Sequence, residues 1–494
     1  MPARCRTDGP NVVLVVLDTA RADALEPYGA ATGASPVLAD LARAGTTVLR
    51  AYSTANWTYP AHISLLTGLL HRDLDLVDPL SGEDAIARNS DRVAATASRS
   101  LAAVLGGAGW HTRGASANPW VTPGTGFEGF DDFAVVAGTR RHQHTPSHAT
   151  TGIRSALRNA RLAAERAADA VRCDTDDGAA ELEQIAARWI YEVQPGRPFF
   201  WFFNVLECHS PYQPPRSFAQ LGPLGRIRLA GDHARYGSVE QIGRINCGMD
   251  EIPPDAVARM RAGYRGGVLA ADAWLGRLLE RLDAAGLLDD TVVIVTSDHG
   301  ENLGESGRIG HAYWLDDRLV HVPLVVRGPV TWDATATTSL VSVPRLLAGS
   351  LGLTDHPWDD DPSRDGLAFA HHQRLVAADD ARLRALVADG TADAYAAWRM
   401  STATTAVTDG RLKLVREGSE DWLYVLADDP LELAPLRVDG HVVAEHGSDL
   451  ARLRDAADRH DWAAAPAFTA PRVSRPRAAL SDDVADRMRL LGYL

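Results

Sequence analysis

Apolar residues fall along this chain in two rhythms. Unbroken runs at residues 12–17, 198–205 and 291–296, rich in Val, Ile and Phe, read as strands of a parallel sheet buried on both faces. Shorter apolar stretches at 46–52, 112–116 and 322–327 add further strands. Between them, apolar positions recur at helical spacing over 36–44, 97–105, 256–285 and 341–353. From about residue 399 the rhythm changes. Short strands at 404–407, 412–415 and 423–426, joined by Asp-Gly and Glu-Gly turns and followed by a helix over 448–459, describe a small antiparallel sheet packed with a helix. The chain therefore divides into residues 1–398, an α/β unit, and residues 399–494, a small α+β subdomain. Residues 137–195 read as a helical insertion, and the Gly-, Pro- and Arg-rich stretch 211–254 as a long loop walling an active site.

At 494 residues, 46% of them apolar and 23% charged, the chain has the composition of an ordinary globular protein large enough for two domains. A net charge of -14 argues against a nucleic-acid-binding surface or an anionic-lipid surface, so an anionic substrate has to be attracted locally, by metal ions or helix ends. Cys5, Cys173, Cys208 and Cys247 lie far apart without zinc-type pairing, which suits reduced thiols in a cytoplasmic protein. No apolar run reaches the length of a membrane span. Homo-oligomerisation stays open.

Three of the predicted strands end in acidic or imidazole groups. Asp18 follows the first, Glu207 and His209 follow a middle one, and Asp298 and His299 follow a later one. Ligands of open α/β sheets bind outside the carboxyl ends of the strands, so these groups can converge although they are distant in sequence. Thr58 opens a helical run with Pro60 in its first turn, where free N–H groups and the helix dipole suit an anion. By itself that pattern also describes a helix cap. Two carboxylates and an imidazole around a hydroxyl form a fair ligand set for Zn²⁺ or Mn²⁺, one or two ions per chain, and a cation explains how a threonine with no evident base becomes reactive. Asp18, Thr58, Asp298 and His299 are the candidates for the first ion. His209 and His311, with Glu207, would hold a second ion or grip substrate oxygens. Asn118, in an Asn-Pro-Trp turn, is a candidate donor to the transferred group or a plain turn residue. His142, His144 and His148 read as a solvated loop, Cys208 as a bystander, and Trp57, Trp120 and Trp314 as either a stacking wall or packing.

Leu17-Asp18-Thr19-Ala20-Arg21, the Thr58 segment with Leu65-Leu66-Thr67-Gly68, Ser297-Asp298-His299-Gly300-Glu301 and Val322-Pro323-Leu324-Val325-Val326-Arg327-Gly328-Pro329 together resemble the sulfatase branch of the alkaline phosphatase superfamily. The tail, Leu423 to Glu432, resembles its C-terminal subdomain. The resemblance implies an α/β/α sandwich with a mostly parallel central sheet, a metal held by Asp18, Asp298 and His299, and a nucleophile at position 58. Sulfatases of that branch carry Cys or Ser at this position, matured to formylglycine, and Arg four residues on; here those places hold Thr58 and His62. Oxidising a secondary alcohol yields a ketone, which closes the aldehyde route. Thr58-Tyr59-Pro60-Ala61-His62 is instead similar to nucleotide pyrophosphatase/phosphodiesterases, and threonine nucleophiles also serve phosphopentomutases and phosphoethanolamine transferases. The leading expectation is therefore a metal-dependent hydrolase or transferase of a small phosphate or phosphonate ester, working through a phospho-threonine, with His62, Asn118 and Glu207 contacting substrate. The alternatives are a sulfate-ester hydrolase using the threonine alkoxide, and a non-catalytic binding protein of the same fold.

Overall fold

The computed structural model describes residues 9–76, 83–136, 176–373, 401–418, 420–437 and 446–460, together with residues 168, 170–172, 384, 387 and 388. A seven-stranded sheet forms its centre. Its strands in chain order are β1 (Asn11–Leu17), β2 (Thr46–Thr47), β3 (His111–Ser116), β4 (Asp132–Val135), β5 (Phe199–Val205), β6 (Thr291–Thr296) and β7 (Leu324–Arg327). Their spatial order is β2-β7-β6-β1-β5-β3-β4. The five from β6 to β4 run parallel, and β7 is antiparallel to both its neighbours.

The apolar runs behave as two-sided strands should. Val13, Val15 and Leu17 enter one core, with Trp201 and Phe203 of β5, under helices α1 (Pro36–Arg43), α4 (Ala179–Tyr191) and α7 (Pro254–Ala284). Val12, Leu14 and Val16 enter the other, with Phe200 and Phe202, under α2 (Thr58–Thr67), α3 (Leu101–Gly107) and α8 (Val343–Ser350). Each such side chain, when fully buried, contributes roughly 1.5–3 kcal/mol. The result is an α/β/α sandwich, with a helical layer on each face of the sheet.

Between α4 and α7 lie α5 (Pro223–Tyr236) and α6 (Val239–Asn246), so half of the stretch expected as a long loop is helical. Its glycines and prolines punctuate these helices: Gly222 and Pro223 open α5, and Gly237 closes it. Of the expected insertion, α4 is described and packs against α7 in the first core. Residues 137–167, with His142, His144 and His148, lie outside the described residues. The expected strand over 46–52 is split into β2 and a two-residue strand, Ala51–Tyr52, that pairs with Thr338–Ser339.

The second sheet is antiparallel, with β8 (Ala368–His372), β9 (Thr404–Thr408), β10 (Leu412–Glu417), β11 (Glu420–Val425) and β12 (Leu436–Arg437) in sequential order. Helix α9 (Gly447–Arg459) covers it with Leu450, Leu453 and Ala457. Its first strand comes from upstream of residue 399, so the antiparallel layer begins before the change in sequence rhythm. Lys413 of β10 is enclosed, with Nζ 2.7 Å from Asp317 and 3.0 Å from Glu432. No helix among the described residues is long and apolar enough to cross a membrane.

Candidate active site

Register brings the chemistry to one edge. Leu17 stands beside Val205 of β5, Val16 beside Thr296 of β6, and Asn204 beside Ser116 of β3, so the residues just past each strand emerge together. Asp18, Asp298 and His299 are fully buried there, and one ligand atom from each lies within 4.8 Å of the others. Thr58 is the first residue of α2, whose preceding residue, Trp57, makes no side-chain cap. The threonine hydroxyl does not cap the helix. Its Oγ1 lies 3.3 Å from His299 Nε2 and accepts from Asn118 Nδ2 at 3.3 Å.

Asn118 Nδ2 also donates to Asp18 Oδ2 at 2.8 Å, and Asn204 Nδ2 donates to the same oxygen at 3.0 Å. Asp298 Oδ1 accepts from the backbone N–H groups of Thr19, at 3.0 Å, and His299, at 2.9 Å. Each carboxylate thus spends one oxygen on protein donors. The other oxygens, Asp18 Oδ1 and Asp298 Oδ2, are buried without a hydrogen-bond partner. A buried anionic oxygen so left costs several kcal/mol (order of magnitude) unless a cation faces it. The Asp18 carboxyl is accordingly raised above its ordinary range, by burial first and by the Asp298 charge next. Two orphaned carboxylate oxygens and an imidazole nitrogen fit a divalent cation.

The imidazole is poised for that task. His299 Nδ1 lies 2.8 Å from the Gly300 carbonyl and donates to it, which leaves the Nε2 lone pair facing the site. Burial, followed by the neighbouring His311, lowers its pKa to about 3, so the ring is neutral. His311 stands with its ring centre 4.5 Å from that of His299 and 5.4 Å from that of His209. Its Nδ1 is 3.0 Å from Glu301 Oε1. Burial opposes a charge on His311, but the Glu301 carboxylate outweighs it and raises the pKa.

Other candidates fall differently. His62 is enclosed within the site, Nδ1 at 2.9 Å from the Thr58 carbonyl and 3.6 Å from Asp298 Oδ2, and Nε2 at 3.1 Å from Asn204. Glu207, expected to contact substrate, has Oε1 on the N–H groups of Asp177, at 2.8 Å, and Ala179, at 3.3 Å. That is the anion-favouring start of α4, so this oxygen of Glu207 serves the helix. Burial raises the Cys208 thiol well above its ordinary range, which keeps it protonated and unreactive. Trp120 is buried and meets the Trp57 ring edge-on at 5.6 Å, while Trp314 packs beneath the Arg308 guanidinium. Sequence reading missed Asn204 and Glu301. Asn204 left a signal, as the lone polar residue inside the aromatic run of β5.

The fold and this cluster define a class, and a sulfatase family model matches residues 10–356: the chain belongs to the sulfatase family. It is 25% identical over 320 residues to the arylsulfatase of Clostridium perfringens, covering 60% of this chain and 64% of that enzyme. It is also 30% identical over 156 residues to the multifunctional alkaline phosphatase superfamily protein PehA of Trinickia caryophylli, covering 27% of this chain and 29% of that one. The chain thus matches less than two thirds of the length of these relatives. The crystal structure of the phosphonate monoester hydrolase of Agrobacterium radiobacter shares the fold, with a TM-score of 0.60 over 91% of this chain and 96% of that one at 20% identity.

Proposed function

We propose that the chain is a metal-dependent hydrolase of small-molecule esters that carry a single negative charge, sulfate esters foremost, with Thr58 as nucleophile. The observation that carries this is Thr58 Oγ1, within 3.3 Å of both His299 Nε2 and Asn118 Nδ2, beside two orphaned carboxylate oxygens. Asp18, Asp298 and His299 would hold the cation, Zn²⁺ or Mn²⁺, which supplies Lewis-acid charge that acidifies the hydroxyl and draws in the ester. Asn118, bridging Asp18 and Thr58, aims the hydroxyl oxygen. Attack on sulfur breaks the bond to the leaving oxygen and forms an ester on Thr58, which water then cleaves. His311, oriented by Glu301, offers an N–H donor for the leaving oxygen and the peripheral oxygens, and His209, whose Nδ1–H donates to the Ser210 carbonyl, turns its other ring nitrogen to the same edge.

Family membership reverses the order in which the sequence alone ranked the substrates. Charge supports the reversal. The carboxylates that face the cradle are Asp18 and Asp298, and the third group there, His299, is neutral. Two carboxylates with one divalent ion sum to zero, which suits a monoanionic sulfate ester better than a dianionic phosphate monoester. A second reading, a phosphonate monoester or phosphate diester, is favoured by Thr58, because a threonine cannot mature to formylglycine. Both of those esters are monoanions as well.

Metal-loaded protein assayed against aryl sulfate, aryl phosphonate, bis-aryl phosphate and aryl phosphate, with metal content measured on the same preparation, separates the readings. The aryl sulfate is expected to be turned over fastest and the dianionic phosphate slowest. Preference for the phosphorus monoanions would promote the second reading. Absence of turnover on every ester, with the metal bound, would leave a binding protein.

A further inference from the structure

The turn that follows Asp18 is held in a conformation its own sequence disfavours, and a side chain from another element joins the turn's own Ala20 N–H bond to the Leu17 carbonyl, at 3.0 Å, in holding it. Thr19 has φ +60°, a left-handed backbone that a β-branched residue rarely adopts. That conformation has a use: it points the Thr19 N–H at Asp298 Oδ1, at 3.0 Å, tying the β1 corner to the β6 corner. Tyr264 of α7 donates its hydroxyl to the Thr19 carbonyl at 2.9 Å and accepts from the Arg21 N–H at 2.8 Å. One buried oxygen thus closes the turn on both sides. Burial raises the phenol well above its ordinary range, so it remains a donor. Arg21 extends the link, with Nη1 on the Glu301 carbonyl at 3.1 Å and on Glu305 at 2.9 Å, beyond the His299 corner.

We propose that Tyr264 is a positioning residue for the metal cradle, setting the separation of Asp18 and Asp298 by clamping Thr19 in its left-handed turn. The inference rests on the reading of those carboxylates as metal ligands. It assigns a role at the site to a helix residue more than 240 positions from Asp18 in sequence, as the Thr19 and Arg21 bonds record.

The test is zinc binding, repeated with manganese, measured by calorimetry on metal-stripped full-length protein, with circular dichroism to check folding. Tyr264→Phe removes one oxygen and keeps the ring, and should weaken metal binding by about 10- to 100-fold, the usual effect of losing a partner that orients a ligand. Glycine adopts positive φ without steric cost. Thr19→Gly in the Tyr264→Phe background should therefore recover most of the lost affinity, a rescue that loss of ordinary packing around Tyr264 would not produce. Wild-type affinity in Tyr264→Phe overturns the inference while leaving the metal reading intact. A double variant that binds no better than the single one, or that fails to fold, also overturns it. Wild-type protein that binds neither ion sinks the metal reading, and the inference with it.

Discussion

Thr58 shares its oxygen's surroundings with His299 and Asn118, and the two donors and acceptors around it are themselves fixed by Asp18 and Gly300. Removing the hydroxyl leaves that frame standing. Thr58→Ala is expected to fold, to bind zinc with an affinity close to that of the wild type, and to lose turnover by at least ~1,000-fold, as nucleophile deletions do. Steady-state assay beside calorimetry checks both halves, and a variant with near-normal turnover would remove Thr58 from the chemistry. At this scale much was legible. Asp18 directly follows β1, and Asp298 and His299 come two and three residues after β6, so their place at the sheet edge could be read from unbroken apolar runs. Glu207 follows a strand too, yet its carboxylate turns to the start of α4. Whether a carboxylate faces ligand or helix depends on which N–H groups lie near it in space, which spacing along the chain does not encode.

Between elements, a second charged cluster joins the two sheets. Lys413 of β10 serves two carboxylates, Asp317 and Glu432, and the Asp317 N–H donates to Glu432 Oε1 at 2.6 Å. Asp317 begins the short helix Asp317–Val320, and the Leu319 carbonyl in that helix accepts from the Gly300 N–H at 2.7 Å. The antiparallel layer therefore braces the segment next to His299. Gly300 has to be glycine there, since a Cβ would stand 1.9 Å from the Arg318 carbonyl oxygen. With one ammonium between two acids, burial and the charges of Asp317 and Asp316 outweigh Lys413 and push Glu432 up to about 7. The folded state then holds a proton that the unfolded chain releases above its ordinary value of 4.5. Stability should fall as pH rises from there to neutrality, by at most ~1.4 kcal/mol per pH unit from this group. Urea denaturation across that window should give wild type a steeper loss than Glu432→Gln; parallel slopes would remove Glu432 as the cause. None of this cluster was foreseen. Lys413, Asp317 and Glu432 come from separate segments, and each alone reads as an ordinary surface charge.

Over the whole molecule, the cradle at Asp18 and Asp298 joins two neighbouring parallel strands at the middle of the sheet. A cation bound there and absent from the unfolded chain stabilises the fold by mass action, by about 2.7 kcal/mol at a free concentration 100 times its Kd. Zinc or manganese should raise the melting temperature of stripped protein, and chelation should reverse the rise; Asp298→Asn should abolish the response. A melting temperature indifferent to both ions in the wild type would argue against a cradle at this edge.

The chain by itself determined the parallel strands, the antiparallel tail, the residues that end β1 and β6, and the threonine that opens α2. These are local: strand burial shows as unbroken β-branched runs, turns as Asp-Gly pairs, helix starts as a polar residue ahead of proline. The tertiary structure decided that Asn118 and Asn204 meet on one oxygen of Asp18, that Glu301 backs His311, that Glu207 caps a helix, that residues 211–254 carry α5 and α6, and that Tyr264 holds Thr19 in its turn. Those outcomes depend on strand order, register and the direction in which a side chain leaves its element. Contacts between distant segments set all three.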